Sequence, residues 1–291
     1  MKAIGCSRKM SGVTLIELLI SLVIGMVVVV AVLVSFVDSG KVSRFQTAVG
    51  QMNQDAQVAL NLLTREVQMA GYISPGKTLG APAIFGCDGT SGSVPFSSPK
   101  AAGAMTCGAA TGTTISAIEV VYEADEKTTV PQGVAKTPSD CLGTGITVSG
   151  GIYITRNRYY VATSSSGRKE LHCASPAGVS GVAQPLIENV EDMQLWYGVT
   201  TTAAPTQVIR YAKAGKDAST ANTVNAQGAA EWNNVMSVRI CLLMRSAEPI
   251  LTGEDTLTYL DCDSVSKTSA DKYLRRAYFT TATVRTKMTS G

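Results

Sequence analysis

From Leu18 to Val37 the chain runs for twenty residues without a charge, broken only by Ser21, Gly25, Ala31 and Ser35. As a helix rising about 1.5 Å per residue, it covers roughly 30 Å, the hydrocarbon thickness of a bilayer. A buried core helix is seldom so apolar on every face, so the segment is expected to span a membrane. Ahead of it lies a short basic stretch, Met1 to Gly12, with Lys2, Arg8 and Lys9. Only Lys41 and Arg44 follow closely behind. That bias favours a cytoplasmic N-terminus, with the chain beyond residue 40 exported.

A secretory signal peptide is cut after its apolar stretch and discarded. Here the obvious processing site, Gly12–Val13, precedes the apolar run. Cutting there keeps that run as a new N-terminus, with Glu17 as the carboxylate at its lip. A charge at the edge of a span marks a functional candidate; the plainer reading is a side chain that reaches the headgroups. Cleavage at Gly12 tips the balance, because the freed Val13 amine is a counter-ion for Glu17 of a neighbouring subunit. Two charges in an apolar polymer core are tolerable only when paired.

Lys9-Met10-Ser11-Gly12 followed by Val13-Thr14-Leu15-Ile16-Glu17-Leu18-Leu19 resembles the class III leader and helix start of type IV prepilins and type II secretion pseudopilins. Val13 stands where most members have Phe. The resemblance implies cleavage after Gly12 and methylation of the Val13 amine by a prepilin peptidase/N-methyltransferase.

Past the span, Val42, Phe45, Val49, Met52, Ala56, Ala59, Leu63, Val67 and Ala70 recur at spacings of three and four. The helix is therefore expected to continue as an amphipathic one, packed against a head domain, and to stop near Gly71 and Pro75. The head has strand-like runs at 115–122, 151–162, 192–199, 235–244 and 278–285, separated by Gly-, Ser-, Ala- and Thr-rich connections. One long helix followed by strands implies an α+β fold, with an antiparallel β-sheet laid on the helix. The expected organisation is a leader at 1–12, a helix at 13–72 with its first half transmembrane, and a head at 73–291.

Once the leader leaves, 22 basic side chains balance 22 acidic ones, because the leader holds three of the 25 basic and none of the acidic. A nucleic-acid partner is therefore not expected. Arg156 with Arg158, and Arg275 with Arg276, are assigned to solvated strand faces. Cys6 also leaves, and Cys87, Cys107, Cys141, Cys173, Cys241 and Cys262 remain on the exported side, where oxidation is allowed. Six cysteines permit fifteen connectivities. Sequential pairing (87–107, 141–173, 241–262) is the expectation, since it closes three modest loops. No metal is expected, as there is no C-x-x-C spacing and His172 is the lone imidazole. His172 is assigned to a solvated loop. Asp261 and Asp263 with Asp255 form a weak calcium candidate without EF-hand spacing. No nucleophile elbow or Walker loop appears, so neither a cofactor nor enzymatic activity is expected.

Three stretches of the head, 188–199, 235–246 and 275–285, resemble segments of PilW-type minor pilins. Thr200 and Thr286 depart from the usual Asp and Asn. The resemblance implies a pilin-type roll. It also implies a role in type IV pilus assembly, in which a minor-pilin complex primes polymerisation and stands at the filament tip. The implied partners are other minor pilins, the major pilin, the inner-membrane assembly platform and a tip adhesin. The implied location is the inner membrane, single-pass with a periplasmic head, and afterwards the pilus. Two alternatives share the same N-terminus or fold: a type II secretion pseudopilin, and an adhesive or DNA-uptake tip module.

Overall fold

The computed structural model describes residues 12–88, 116–175, 183–201, 204–215, 223–225, 229–250 and 256–288. The chain divides into two compact units, Met1–Ala48 and Val49–Gly291. Helix α1 (Leu15–Met69) contributes residues to both. Its start lies two residues beyond Val13 because Thr14 is its N-cap: the Glu17 N–H lies 3.4 Å from Thr14 Oγ1. Its end is a glycine stop. Gly71 adopts φ +78°, a conformation other residues rarely tolerate, and Thr286 Oγ1 donates to Ala70 O at 3.0 Å.

In the second unit the predicted helical stripe becomes core. Met52, Ala56, Ala59, Leu63, Val67 and Ala70 are buried together with residues from the sheets. Small residues at 56, 59 and 70 let backbone and sheet approach closely. Val42 and Phe45, the first two residues of the stripe, remain exposed.

The strands form two sheets where one was expected. The first contains β1 (Ile84–Cys87), β2 (Ala117–Glu123), β3 (Val148–Ser149), β4 (Ile152–Thr163), β5 (Lys169–Ala174) and β6 (Gln184–Glu188), in the order β1-β2-β4-β5-β6 with β3 paired to β4. The second runs β13 (Arg275–Thr283), β10 (Val235–Arg245), β7 (Val190–Val199), β8 (Arg210–Gly215), β9 (Thr223–Asn225). Pairing is antiparallel throughout except for β8 with β9. A separate hairpin joins β11 (Leu257–Leu260) to β12 (Ser266–Ser269). Two short helices, α2 (Ala229–Trp232) and α3 (Arg285–Met288), complete the fold.

Both large sheets share one core with the second part of α1. At its centre Tyr197 meets Trp232 edge-on at 4.8 Å between ring centroids, and Phe85 lies 5.2 Å from the same indole. Gly86 on β1 admits this cluster: a Cβ there would lie 2.1 Å from the Tyr197 hydroxyl. Asn189 links β6 to β7 in the left-handed region, φ 60°, which Asn tolerates better than most residues.

Four assignments made from sequence are corrected here. His172 lies on β5, not in a loop; its side chain is 12% exposed, 3.4 Å from Glu170 and stacked on Tyr160. Arg156 and Arg158 are not on a solvated face. Register places Glu119 opposite Arg158, and the fully buried Glu119 carboxylate takes both guanidinium groups. Arg275 is likewise buried, donating through Nε and Nη2 to Glu191 at 2.6 and 3.0 Å and through Nη1 to Asp271 at 2.7 Å. The strand expected at 278–285 starts earlier, at Arg275, and Arg285 opens α3.

Candidate functional site

The N-terminal residues of the first unit assemble from simple parts. Thr14-Leu15-Ile16-Glu17 has the Thr-x-x-Glu spacing of a capping box, with Thr14 at the cap and Glu17 on the third helical position. Thr14 itself was not singled out from sequence, although this spacing was the signal for it. A carboxylate in the first turn also faces the positive end of the helix dipole. Ser21 satisfies its hydroxyl within the helix, donating to Glu17 O at 2.6 Å. Polar atoms inside the apolar run therefore make few demands on their surroundings.

Among the described residues nothing covers these apolar side chains. Every large one from Val13 to Val37 is more than half exposed, and the least exposed, Val30, still shows 53%. Mean hydropathy reaches 3.1 in the most apolar window, and nothing in that window is buried. A surface of this size, left to water, opposes solubility and marks a membrane or protein interface. Glu17 makes no ion pair among the described residues. Gly12 and Val13 lie just before the cap, both exposed, in a stretch without regular structure.

In the second unit, disulfides join Cys141 to Cys173 and Cys241 to Cys262. Cys87 is also disulfide-bonded; its expected partner, Cys107, lies outside the described residues, as does Cys6. The Cys241–Cys262 bond ties the β11–β12 hairpin to the second sheet beside Leu243, Trp196 and Tyr259. The candidate calcium carboxylates have structural duties. Asp261 Oδ1 accepts the N–H groups of Asp263 and Val265 at 3.0 and 2.8 Å, and Asp263 pairs with Lys213 at 3.0 Å. Asp255 lies outside the described residues.

The ion pairs of the head bind strands to one another. Glu191 on β7 meets Arg275 on β13 and, at 3.5 Å, Arg245 on β10. Arg275 holds the Asp271 carboxyl well below its ordinary range, and the Asp271 contact in turn raises Arg275. The arrangement staples three strands together.

Two family models match the chain. The prokaryotic N-terminal methylation motif covers residues 7–33, and the type IV pilus-assembly protein W family covers residues 158–286. Together the two matches support a PilW-type pilin. The second match takes in β5–β13 and the Glu191–Arg245–Arg275 staple; the first takes in Gly12, Val13 and Glu17. Neither a comparison with curated proteins nor one with solved structures returns a match. A PilW-type minor pilin with a prepilin leader implies processing by a peptidase and other pilins as partners, and its apolar helix fits membrane anchoring.

Proposed function

We propose that this PilW-type pilin enters the inner membrane with its leader in the cytoplasm and its head in the periplasm. A prepilin peptidase then cuts Gly12–Val13 and methylates Val13. The apolar helix passes from lipid into a bundle of pilin helices, where Glu17 pairs with the N-terminal amine of a neighbouring subunit. In this reading the chain joins other minor pilins in a complex that primes polymerisation and stands at the filament tip. The head serves contacts rather than catalysis.

The uncovered apolar surface from Val13 to Val37, headed by Glu17 with no cationic partner among the described residues, supports this reading most. Lipid satisfies the apolar side chains but leaves the carboxylate unanswered. A bundle of identical helix starts answers both, since each contributes one amine and one carboxylate.

The test is complementation of a strain lacking the chain. Glu17→Ala should leave the protein in the membrane and strongly reduce its recovery in sheared filaments. Recovery at the unaltered level would refute the assigned role of Glu17.

A further inference from the structure

Strand β13 ends the second sheet, and among the described residues it pairs along its length only with β10. The direction of its backbone groups follows from the ends of that ladder. The Val284 N–H donates to Met236 O at 2.8 Å, and Leu274 O accepts the Ser246 N–H at 2.9 Å. Successive residues of a strand turn their backbone groups to opposite sides. The even-numbered residues of β13 therefore face β10, whereas Ala277, Phe279, Thr281 and Thr283 turn N–H and C=O outward. Ala277 packs beside the Cys241–Cys262 disulfide. The other three have exposed side chains, Phe279 by 42%, and among the described residues no hydrogen bond reaches their outward groups.

Sheet edges are ordinarily guarded by proline, a charge, a bulge or short length. β13 lacks these guards. It is 9 residues long, and its register runs unshifted from Thr283 opposite Ser237 to Arg275 opposite Arg245. From Ala277 to Val284 there is neither a proline nor a charge. Such an edge is a template on which a strand of another chain can pair.

The charges around the edge select the strand that fits. Arg276 precedes the uncharged stretch, Arg285 follows it, and Arg239 lies opposite Thr281 on β10. All three are exposed, and none meets a carboxylate among the described residues. Arg239 is instead held over Trp196 and Phe279, at 5.5 and 5.1 Å from the ring centroids. No Asp or Glu occurs between positions 272 and 288. A second copy of this chain is therefore a poor occupant. Antiparallel pairing with Thr281 opposite Thr281 would set Arg276 of one copy beside Arg285 of the other, and like charges across a strand pair repel. A strand with acids at both ends and β-branched residues between them satisfies the edge and its cations together. We propose that β13 accepts such a strand from a different protein, which bonds the outward backbone groups of Phe279, Thr281 and Thr283. The inference deepens the proposed assembly role, and rests on it only for a neighbouring subunit as the donor.

The experiment is calorimetric titration of the full-length chain in detergent with the end-blocked peptide Asp-Glu-Thr-Val-Thr-Val-Thr-Glu-Asp. Its match carries Lys in place of every acid. The acidic peptide should bind once per chain, and the Lys peptide about ten-fold more weakly or worse. Thr281→Pro removes an outward N–H while leaving the ladder to β10 whole. It should weaken binding of the acidic peptide about ten-fold or more, whereas Thr281→Ser keeps the N–H and should stay within about two-fold. No binding of the acidic peptide at millimolar concentration overturns the proposal. So does equal binding of the Lys peptide, or unchanged affinity in folded Thr281→Pro. The two peptides decide the matter on the unaltered chain even where the proline variant fails to fold. Failure here leaves the role of Glu17 standing, because that role is read from recovery in filaments and this one from strand binding.

Discussion

Val32 and Leu63 lie on the same helix and differ by almost nothing in chemistry, yet Val32 is 61% exposed and Leu63 is 1% exposed. The carboxylates of the two units differ in the same way. Glu17 in the first has no cationic partner among the described residues, whereas Glu119 and Glu191 in the second are each met by two guanidinium groups. Apolar groups left wet and a charge left unpaired are what one chain shows when its partners are other molecules. The second unit supplies its own cover; the first is built to receive it.

The largest expected effect breaks the self-sufficient side of that comparison. Glu119→Ala removes the fully buried carboxylate that Arg156 and Arg158 both contact and should cost the head about 4 kcal/mol in urea denaturation, the usual range for removing one side of a buried ion pair. A cost below about 1 kcal/mol would mean that the two arginines reach solvent instead. Leu63→Ala should cost about 3 kcal/mol by loss of transfer energy and creation of a cavity, measured in the same way.

Asp88 sharpens the comparison, because it is a head carboxylate without full satisfaction. Its Oδ2 has no hydrogen-bond partner among the described residues, and burial raises its pKa to about 6 against a bond from Ser116. Below pH 3.8 the folded and unfolded chains both carry the proton, so the group contributes nothing. Between that value and about 6 the folded chain keeps a proton that the unfolded chain has released, so stability falls as pH rises. Above that window both forms are ionised and the cost is complete. Asp88→Asn should flatten this slope and gain about 2 kcal/mol at pH 7, less than the full shift implies because the side chain retains some solvent. An unchanged slope between pH 4 and 6 would assign the pH dependence elsewhere.

The smallest effect belongs to the first unit. Val32→Ala should leave the urea midpoint of the head unchanged, while Leu63→Ala shifts it. A comparable shift from both would erase the distinction between the two parts of the helix.

Periodicity made the buried stripe from Met52 to Ala70 legible, and an uncharged, mostly apolar run did the same for the part of the helix that is long and apolar enough to cross a membrane. Strands β2, β4, β7 and β10 were visible as β-branched or aromatic runs. What escaped needed partners to be seen. β1 holds Gly86, a poor strand residue on its own, required because Tyr197 fills the space beside it. β5 reads as polar, Lys169-Glu170-Leu171-His172, until Glu170 and His172 are seen to interact. The arginines 156, 158 and 275 looked solvated because nothing in the local sequence announces the carboxylate that register brings opposite them. At the N-terminus the Thr14-to-Glu17 step was read for the order of its residues, whereas the cap role of Thr14 shows only in the contact of its hydroxyl with the Glu17 N–H. Glu66 sits beside the buried stripe as a lone acid among Leu62, Leu63 and Val67, and only the fold reveals the tyrosines and Asn157 that surround it.

The central claim is that the apolar helix stays on the finished protein and that its new N-terminus lies next to Glu17. Intact-mass spectrometry of the chain recovered from filaments tests this most directly. The account predicts a polypeptide that begins at Val13 and carries one added methyl group. A chain that still begins at Met1, or one that has lost everything through Val37, would contradict it.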